Sequence, residues 1–208
     1  MKFVNGMSHF EGCVFRPEVP EGIDLKKSRI LLHCCCAPCS TAILEWMVEE
    51  GLRPGVFFSN SNIVPYEEYT KRRNELARYA ASFGLEVVDD EYDHAAWLEY
   101  VRSLSGAAVS GPERGPRCLA CFGFRLLRAA KYAATHGYDI LTTTLASSRW
   151  KDLGQVDSAG RLAVKETDVI WWNQNWRKGG LQERRNFLVK SCALYNQTWC
   201  GCEFSSHH

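Results

Sequence analysis

No run in this sequence approaches the roughly 18 apolar residues that a membrane-crossing helix needs. Met1 to Lys27 has neither the basic start nor the unbroken apolar core of a secretory signal, so the expectation is a cytoplasmic protein with no membrane partner. Charge of one sign is also missing. The 25 Lys and Arg against 24 Asp and Glu leave a formal net charge of +1, so any nucleic acid must be met by a local patch. There is no Gly-x-x-x-x-Gly-Lys-Ser/Thr loop, no Gly-x-Gly-x-x-Gly fingerprint and no His-Glu-x-x-His pair, which removes the usual cradles for nucleotide cofactors. Internal repeats and low-complexity tracts are absent too.

What the chain does hold in quantity is cysteine. Seven of its ten fall into three clusters: Cys35, Cys36 and Cys39; Cys118 and Cys121; Cys200 and Cys202. Thiolates one to four residues apart can converge on a soft ion or an iron–sulfur cluster, whereas neighbours such as Cys35 and Cys36 are badly placed to bridge each other. A reducing compartment, and 208 residues with 46% hydrophobic content, argue against a disulfide scaffold. Cys118 and Cys121 sit three apart at the expected start of a helix, on one face and near the positive end of its dipole, which favours the ligating thiolate. Four thiolates satisfy a zinc ion or a four-iron cluster, and three then remain for a second metal. The consecutive Cys-x-x-Cys-x-x-Cys run of bacterial ferredoxins is missing, which argues against a plain electron carrier. Cys13, Cys34 and Cys192 are read as packing residues, His33 as a satisfied buried histidine, and His207 and His208 are set aside.

The apolar pattern predicts strands at Arg29 to His33, Val56 to Phe58, Leu85 to Val88 and Tyr138 to Thr142. Helices are expected from Thr41 to about Gly51, from Pro65 to Gly84, around Trp97 to Val101, and from Arg117 to about His136. Ser103 to Pro116 reads as a mobile loop, and the chain beyond Lys151 as a segment of lower regularity. Alternation of this kind implies an open α/β fold, a mostly parallel sheet with helices on both faces. One domain is expected: residues 1–27 an N-terminal arm, 28–160 the α/β core, and 161–208 a Cys- and Trp-rich segment of the same domain. Ligands of such sheets bind beyond the carboxyl ends of the strands, where the first cysteine cluster, Asn60 and Asn62, and Thr143 to Ser148 all fall.

Cations interleave with aromatics at Lys71-Arg72-Arg73 with Arg78, at Arg149-Trp150-Lys151, and at Trp171 to Lys178 with Arg184 and Arg185. Such segments suit single-stranded RNA, whose bases stack on rings while phosphates meet cations; a solvated helix face and a tryptophan packing layer account for them equally well.

Five ordered motifs sharpen this: Leu-Leu-His-Cys-Cys-Cys-Ala-Pro-Cys-Ser (31–40), Phe-Phe-Ser-Asn-Ser-Asn-Ile-Val-Pro-Tyr (57–66), Arg-Cys-Leu-Ala-Cys-Phe-Gly-Phe-Arg-Leu (117–126), Thr-Thr-Thr-Leu-Ala-Ser-Ser-Arg-Trp-Lys (142–151) and Trp-Cys-Gly-Cys-Glu-Phe-Ser (199–205). Together they resemble the QueH family of epoxyqueuosine reductases, from about Ile30 to Ser205. The resemblance implies a fold related to the ATP-pyrophosphatase-like (HUP) group and reduction of the epoxide of epoxyqueuosine to give queuosine in a tRNA anticodon loop. It also implies a [4Fe-4S] cluster with an adjacent mononuclear iron, and an external electron donor. The expected chemistry has the cluster supply electrons while the iron binds the epoxide oxygen as a Lewis acid. Cys118, Cys121, Cys36 and Cys202 are expected on the cluster, with Cys35, Cys39 and Cys200 left for the iron. Asn60, Asn62, Tyr66, Arg125, Thr143, Ser147 and Lys151 are expected on the substrate side.

The sequence departs from the family at Ser61, where a proline is usual, at Asn175-Trp176-Arg177-Lys178 for Asp-Phe-Lys-Lys, and at Tyr195-Asn196-Gln197-Thr198-Trp199-Cys200 for Tyr-Arg-Gln-x-Tyr-Cys. Two other readings stand beside this one. A sulfur-transferring or adenylating tRNA enzyme on the same fold needs a Ser-Gly-Gly-x-Asp-Ser loop where this chain has Cys35-Cys36-Ala37-Pro38-Cys39-Ser40; a zinc-stabilised RNA-binding module predicts protein free of iron.

Overall fold

The computed structural model describes residues 14–205; Cys13, His207 and His208 lie outside the described residues. Five parallel strands, β1 (Ile30–Cys34), β2 (Gly55–Phe58), β3 (Val87–Asp89), β4 (Ile140–Thr143) and β5 (Ile170–Trp171), form one sheet in the order β3-β2-β1-β4-β5. The helices are α1 (Ala37–Glu49), α2 (Tyr66–Ala81), α3 (His94–Ser105), α4 (Pro116–Thr135), α5 (Leu153–Val164) and α6 (Leu181–Ser191). α1 packs on α2 and α6 while α4 packs on α3 and α5, which gives a helical layer on each side of the sheet. This is the expected α/β architecture, and its strand order reverses beside β1, as in doubly wound sheets; it is compatible with the expected HUP relation.

β1 is central because all five of its residues are buried, and a continuous apolar run suits a strand covered on both faces. Its Leu32 lies in register between Val56 and Thr142. Pro38 sits in the first turn of α1, where its missing N–H costs nothing, and the left-handed Gly51 follows the helix end.

The segment after Lys151 is more regular than the sequence pattern suggests. It contains α5, β5 and α6, so the fifth strand comes from residues 161–208, and α5 runs across position 160. α5 buries small residues, Ala159, Gly160 and Ala163, which give little apolar periodicity to read. Gly160 is required there: a Cβ would meet the Trp171 ring at 2.1 Å. The expected loop at 103–116 holds a 3-10 turn, Gly106–Ser110, tied down by Arg117 Nη1, which donates to the carbonyls of Val109 at 2.8 Å and Gly111 at 2.6 Å.

Candidate metal and substrate site

Three of the seven clustered cysteines are positioned by one turn. Cys35 and Cys36 occupy the step from β1 to α1, Cys36 being the helix N-cap, and Cys39 falls in the first helical turn. Their Sγ atoms all lie within 4.8 Å of one another, and Cys35 and Cys36 are 3.8 Å apart. A tetrahedral ion with metal–sulfur bonds of about 2.3 Å holds its sulfurs about 3.8 Å apart, so the triad fits a thiophilic metal. Hydrogen bonds from Cys36 and Cys39 hold Cys35 well below the usual thiol range, with help from the Arg125 guanidinium; Cys36 is pushed up in return, and Cys39 is pushed up to about 12. One negative charge is thus shared over three sulfurs before any metal arrives.

The other four clustered cysteines lie near one another but less tightly: among the described residues only Cys35, Cys36 and Cys39 bring three ligand atoms within 4.8 Å. Cys118 and Cys121 lie at the start of α4, and the Cys-Gly-Cys segment folds back over them, so that Cys118, Cys200 and Cys202 line one small crevice and Cys121 and Cys202 share one packed cluster. A hydrogen bond from Cys202 lowers Cys200 well below the usual thiol range, followed by Lys151 and Arg125, while Cys202 is raised by the same bond. Burial raises Cys121 against the opposing pull of Arg125. Trp97 Nε1 is buried without a hydrogen-bond partner among the described residues, and its indole pulls the Cys121 thiol down against burial. Cys36, expected beside Cys118, Cys121 and Cys202, stands with Cys35 and Cys39.

A cavity of about 410 Å³ opens over these sulfurs at the carboxyl ends of the strands. Cys35, Cys36, Cys39 and Cys200 contribute to its lining, as do Asn60, Asn62, Arg125, Ser147 and Lys151. Arg125 is buried without a carboxylate partner among the described residues; its Nε donates to the Ser59 carbonyl at 3.1 Å and its Nη2 to Asn60 Oδ1, and its charge faces the thiols. Asn60 Nδ2 donates in turn to the Cys34 carbonyl at 3.0 Å. Lys151 Nζ lies 3.4 Å from Cys200 Sγ; burial, the largest single influence, would lower this amine, but Cys200, Cys35 and Cys121 together outweigh it and hold the ammonium charged. Ser147 Oγ donates to the Cys39 carbonyl at 3.0 Å.

Two expected substrate residues are placed otherwise. Tyr66 is 57% exposed, stacked on Tyr69 and outside the cavity lining. Thr143 is buried beneath it, its hydroxyl 2.7 Å from His33 Nδ1, while His33 Nε2 reaches the Ser59 carbonyl at 3.1 Å. A carbonyl accepts only, so Nε2 carries the proton and Nδ1 accepts from Thr143. Burial, then Arg125, lowers His33 to about 3, so it is a neutral structural histidine, as its apolar strand suggests. Cys34 is likewise fully buried.

The basic segments separate in the same way. Arg72 pairs with Glu68 at 2.6 Å, Arg73 with Asp89 at 2.6 Å and Arg78 with Glu75 at 2.9 Å, so these cations serve the fold. Trp172 and Trp176 are buried against Trp46, which makes that stretch a packing layer. Gln197 was not singled out by sequence: its Nε2 lies 2.7 Å from Cys36 Sγ and its Oε1 is buried without a partner, as is Asn62 Oδ1. Its signal lay only in the quoted stretch before Cys200.

Fold and site together define a parallel α/β protein with a thiolate-floored, cation-lined cavity beyond its strand ends. The chain matches the family model of epoxyqueuosine reductase QueH over residues 30–208, and it belongs to that family. It is 40% identical to the epoxyqueuosine reductase QueH of Haemophilus influenzae over 189 residues, covering 90% of this chain and 74% of that protein. Identity is 35% with the Acinetobacter baylyi protein of the same name, covering 91% and 86%, and 33% with that of Thermotoga maritima, covering 85% and 89%. No helix among the described residues is long and apolar enough to cross a membrane.

Proposed function

We propose that this chain is an oxidoreductase that converts epoxyqueuosine to queuosine in a tRNA anticodon loop, with its seven clustered cysteines holding an iron–sulfur cluster and an adjacent iron. The observation that carries this reading is the convergent triad of Cys35, Cys36 and Cys39, with Cys200, in the lining of a cavity large enough for a nucleoside. Seven thiolates exceed the four that a [4Fe-4S] cluster takes, which leaves three for the iron. When bound, these groups supply one-electron transfers and a Lewis-acidic position.

The net reaction consumes two electrons and two protons per epoxide and yields an alkene and water. The chain's own residues meet three of its needs. Arg125 and Lys151 offset the negative charge of the sulfurs. Lys151 holds a proton at Nζ, at the cavity wall, for an oxygen that becomes basic as its carbon bond breaks. Asn62 Oδ1 and Gln197 Oε1, both without partners among the described residues, accept hydrogen bonds from the substrate. The electrons come from an external donor.

The loop between β1 and α1 favours this over the adenylating reading, because thiols occupy the helix N-terminus where a phosphate cradle would need backbone N–H groups. Anaerobic purification with iron and sulfide quantitation, followed by incubation with a chemical reductant and epoxide-bearing tRNA and nucleoside mass spectrometry, tests the proposal. Conversion to the alkene is expected. Colourless protein holding zinc, or unchanged epoxide with metal fully loaded, would overturn it.

A further inference from the structure

Lys151 enters the cavity from a turn, and turns are ordinarily the least restrained backbone near a site because their carbonyls face water. Here cations hold all four. The turn runs from Ser148 to Lys151 and is closed by Lys151 N, which donates to the Ser148 carbonyl at 3.1 Å. Arg114, from the segment before α4, donates from Nη2 to the Arg149 carbonyl at 3.0 Å and from Nε to the Trp150 carbonyl at 3.1 Å. Arg177, from the segment between β5 and α6, donates from Nη2 to the Ser148 carbonyl and, at 2.7 Å, to the Lys151 carbonyl. Two guanidiniums from distant parts of the chain thus grip one turn, through charge-assisted bonds that are stronger than those of a neutral donor.

The arrangement is costly. Burial and the Arg114 charge both act against the Arg177 charge, and Asp152 offsets only part of this. Arg114 itself sits at φ +65°, a left-handed conformation unfavourable for a residue with a Cβ, and Gln155 Nε2 donates to its carbonyl at 2.7 Å. A strained backbone and two like charges therefore converge on the turn whose last residue brings its Nζ within 3.4 Å of Cys200 Sγ, at the cavity wall. A proton donor works only when it is held close to the reacting oxygen, and a misplacement of about 1 Å costs on the order of 100-fold.

We propose that Arg114 and Arg177 are positioning residues, which fix the 148–151 turn so that Lys151 Nζ stays between Cys200 and the substrate oxygen. This rests on the reading of the site as an epoxide reductase. The two arginines act differently. Arg114 uses two nitrogens of its planar fork on successive carbonyls, which a lysine cannot reproduce; Arg177 uses one nitrogen on two carbonyls, which an ammonium can.

The test measures kcat per metal-loaded site at saturating anticodon stem–loop, with anaerobic holoenzyme and a chemical reductant, and with iron, sulfide and thermal unfolding measured on every variant. Arg114→Gln and Arg177→Gln are each expected to lower kcat roughly 10- to 100-fold while KM for the stem–loop stays unmoved. Arg177→Lys should recover most of the loss and Arg114→Lys little of it. In a Lys151→Met background the same two glutamine substitutions should change kcat by less than about 2-fold, because the side chain they position is gone. Further loss in that background would overturn the proposal by making the grip merely structural, and equal recovery by both lysine variants would overturn the division of roles. Wild-type turnover with kcat unmoved in both glutamine variants would overturn it while the reductase reading stands. Metal-loaded wild type that leaves the epoxide unchanged removes both.

Discussion

Arg72 on α2 donates from Nη1 to the carbonyl of Cys200 at 3.0 Å, which anchors the C-terminal Cys-Gly-Cys segment to a helix 128 residues earlier in the chain. Nη2 reaches the Trp199 carbonyl at 3.4 Å, and Val64 N donates to the Gly201 carbonyl at 2.9 Å. Gly201 is at φ +102°, with Ile63 and Arg72 so close that a Cβ would stand 3.0 and 3.1 Å from them. A guanidinium and a glycine therefore fix the backbone that carries Cys200 and Cys202.

Arg72 is 3% exposed and paired with Glu68, so Arg72→Met leaves that half-buried carboxylate with the Tyr195 hydroxyl but no cation. The expected cost is about 3 kcal/mol in denaturant unfolding, with Cys200 and Cys202 alkylated faster in the metal-free protein. Equal stability and equal alkylation rates would contradict the anchoring role.

Trp97→Phe keeps an aromatic ring in the core beside α4 but removes the unpartnered indole N–H that favours the Cys121 thiolate. In the proposed iron–sulfur centre, loss of a donor favouring the Cys121 thiolate would disfavour the reduced, more negative state, so the midpoint potential should fall by ~60 mV, the one-electron equivalent of ~1.4 kcal/mol. A redox titration followed by electron paramagnetic resonance measures it, and an unshifted potential would rule the contact out.

Arg125→Met removes the cation that favours the thiolates of Cys35, Cys121 and Cys200. Iron affinity, measured by chelator competition, should drop about 10- to 100-fold, as for losses of outer-shell partners. The same variant should raise the pH at which Cys35 alkylates in the metal-free protein.

His33 makes stability depend on pH. Its folded value of about 3 lies below the ordinary 6.5, so the unfolded chain binds the extra proton between those limits. Its contribution is complete above pH 6.5 and is lost as pH falls toward 3; between pH 6.5 and 5 the loss is about 2 kcal/mol. Unfolding of the metal-free protein at pH 7 and pH 5, wild type against His33→Asn, isolates this slope, which the variant should lack.

The β1, α1, β2 and α4 elements were legible because long apolar runs, Pro and Gly at their ends, and clear periodicity all agreed. The site's location followed from them, since parallel strands leave their carboxyl ends open. β5, α5 and α6 were not legible: a two-residue strand and a helix buried through alanine and glycine carry almost no pattern. Lys71 to Arg78 and Trp171 to Lys178 stayed undecided for a related reason, because composition does not reveal whether a cation meets a carboxylate or a ring meets a core.

The sequence by itself determined the chemistry available to this protein: cysteine type, number and local spacing, the placement of two clusters at helix starts, and the family. Only the tertiary structure decided which sulfurs stand together and that Arg125 faces them with no carboxylate partner among the described residues. Such facts depend on contacts between residues more than a hundred positions apart, as Arg72 and Cys200 are, and local pattern carries no record of contacts at that range.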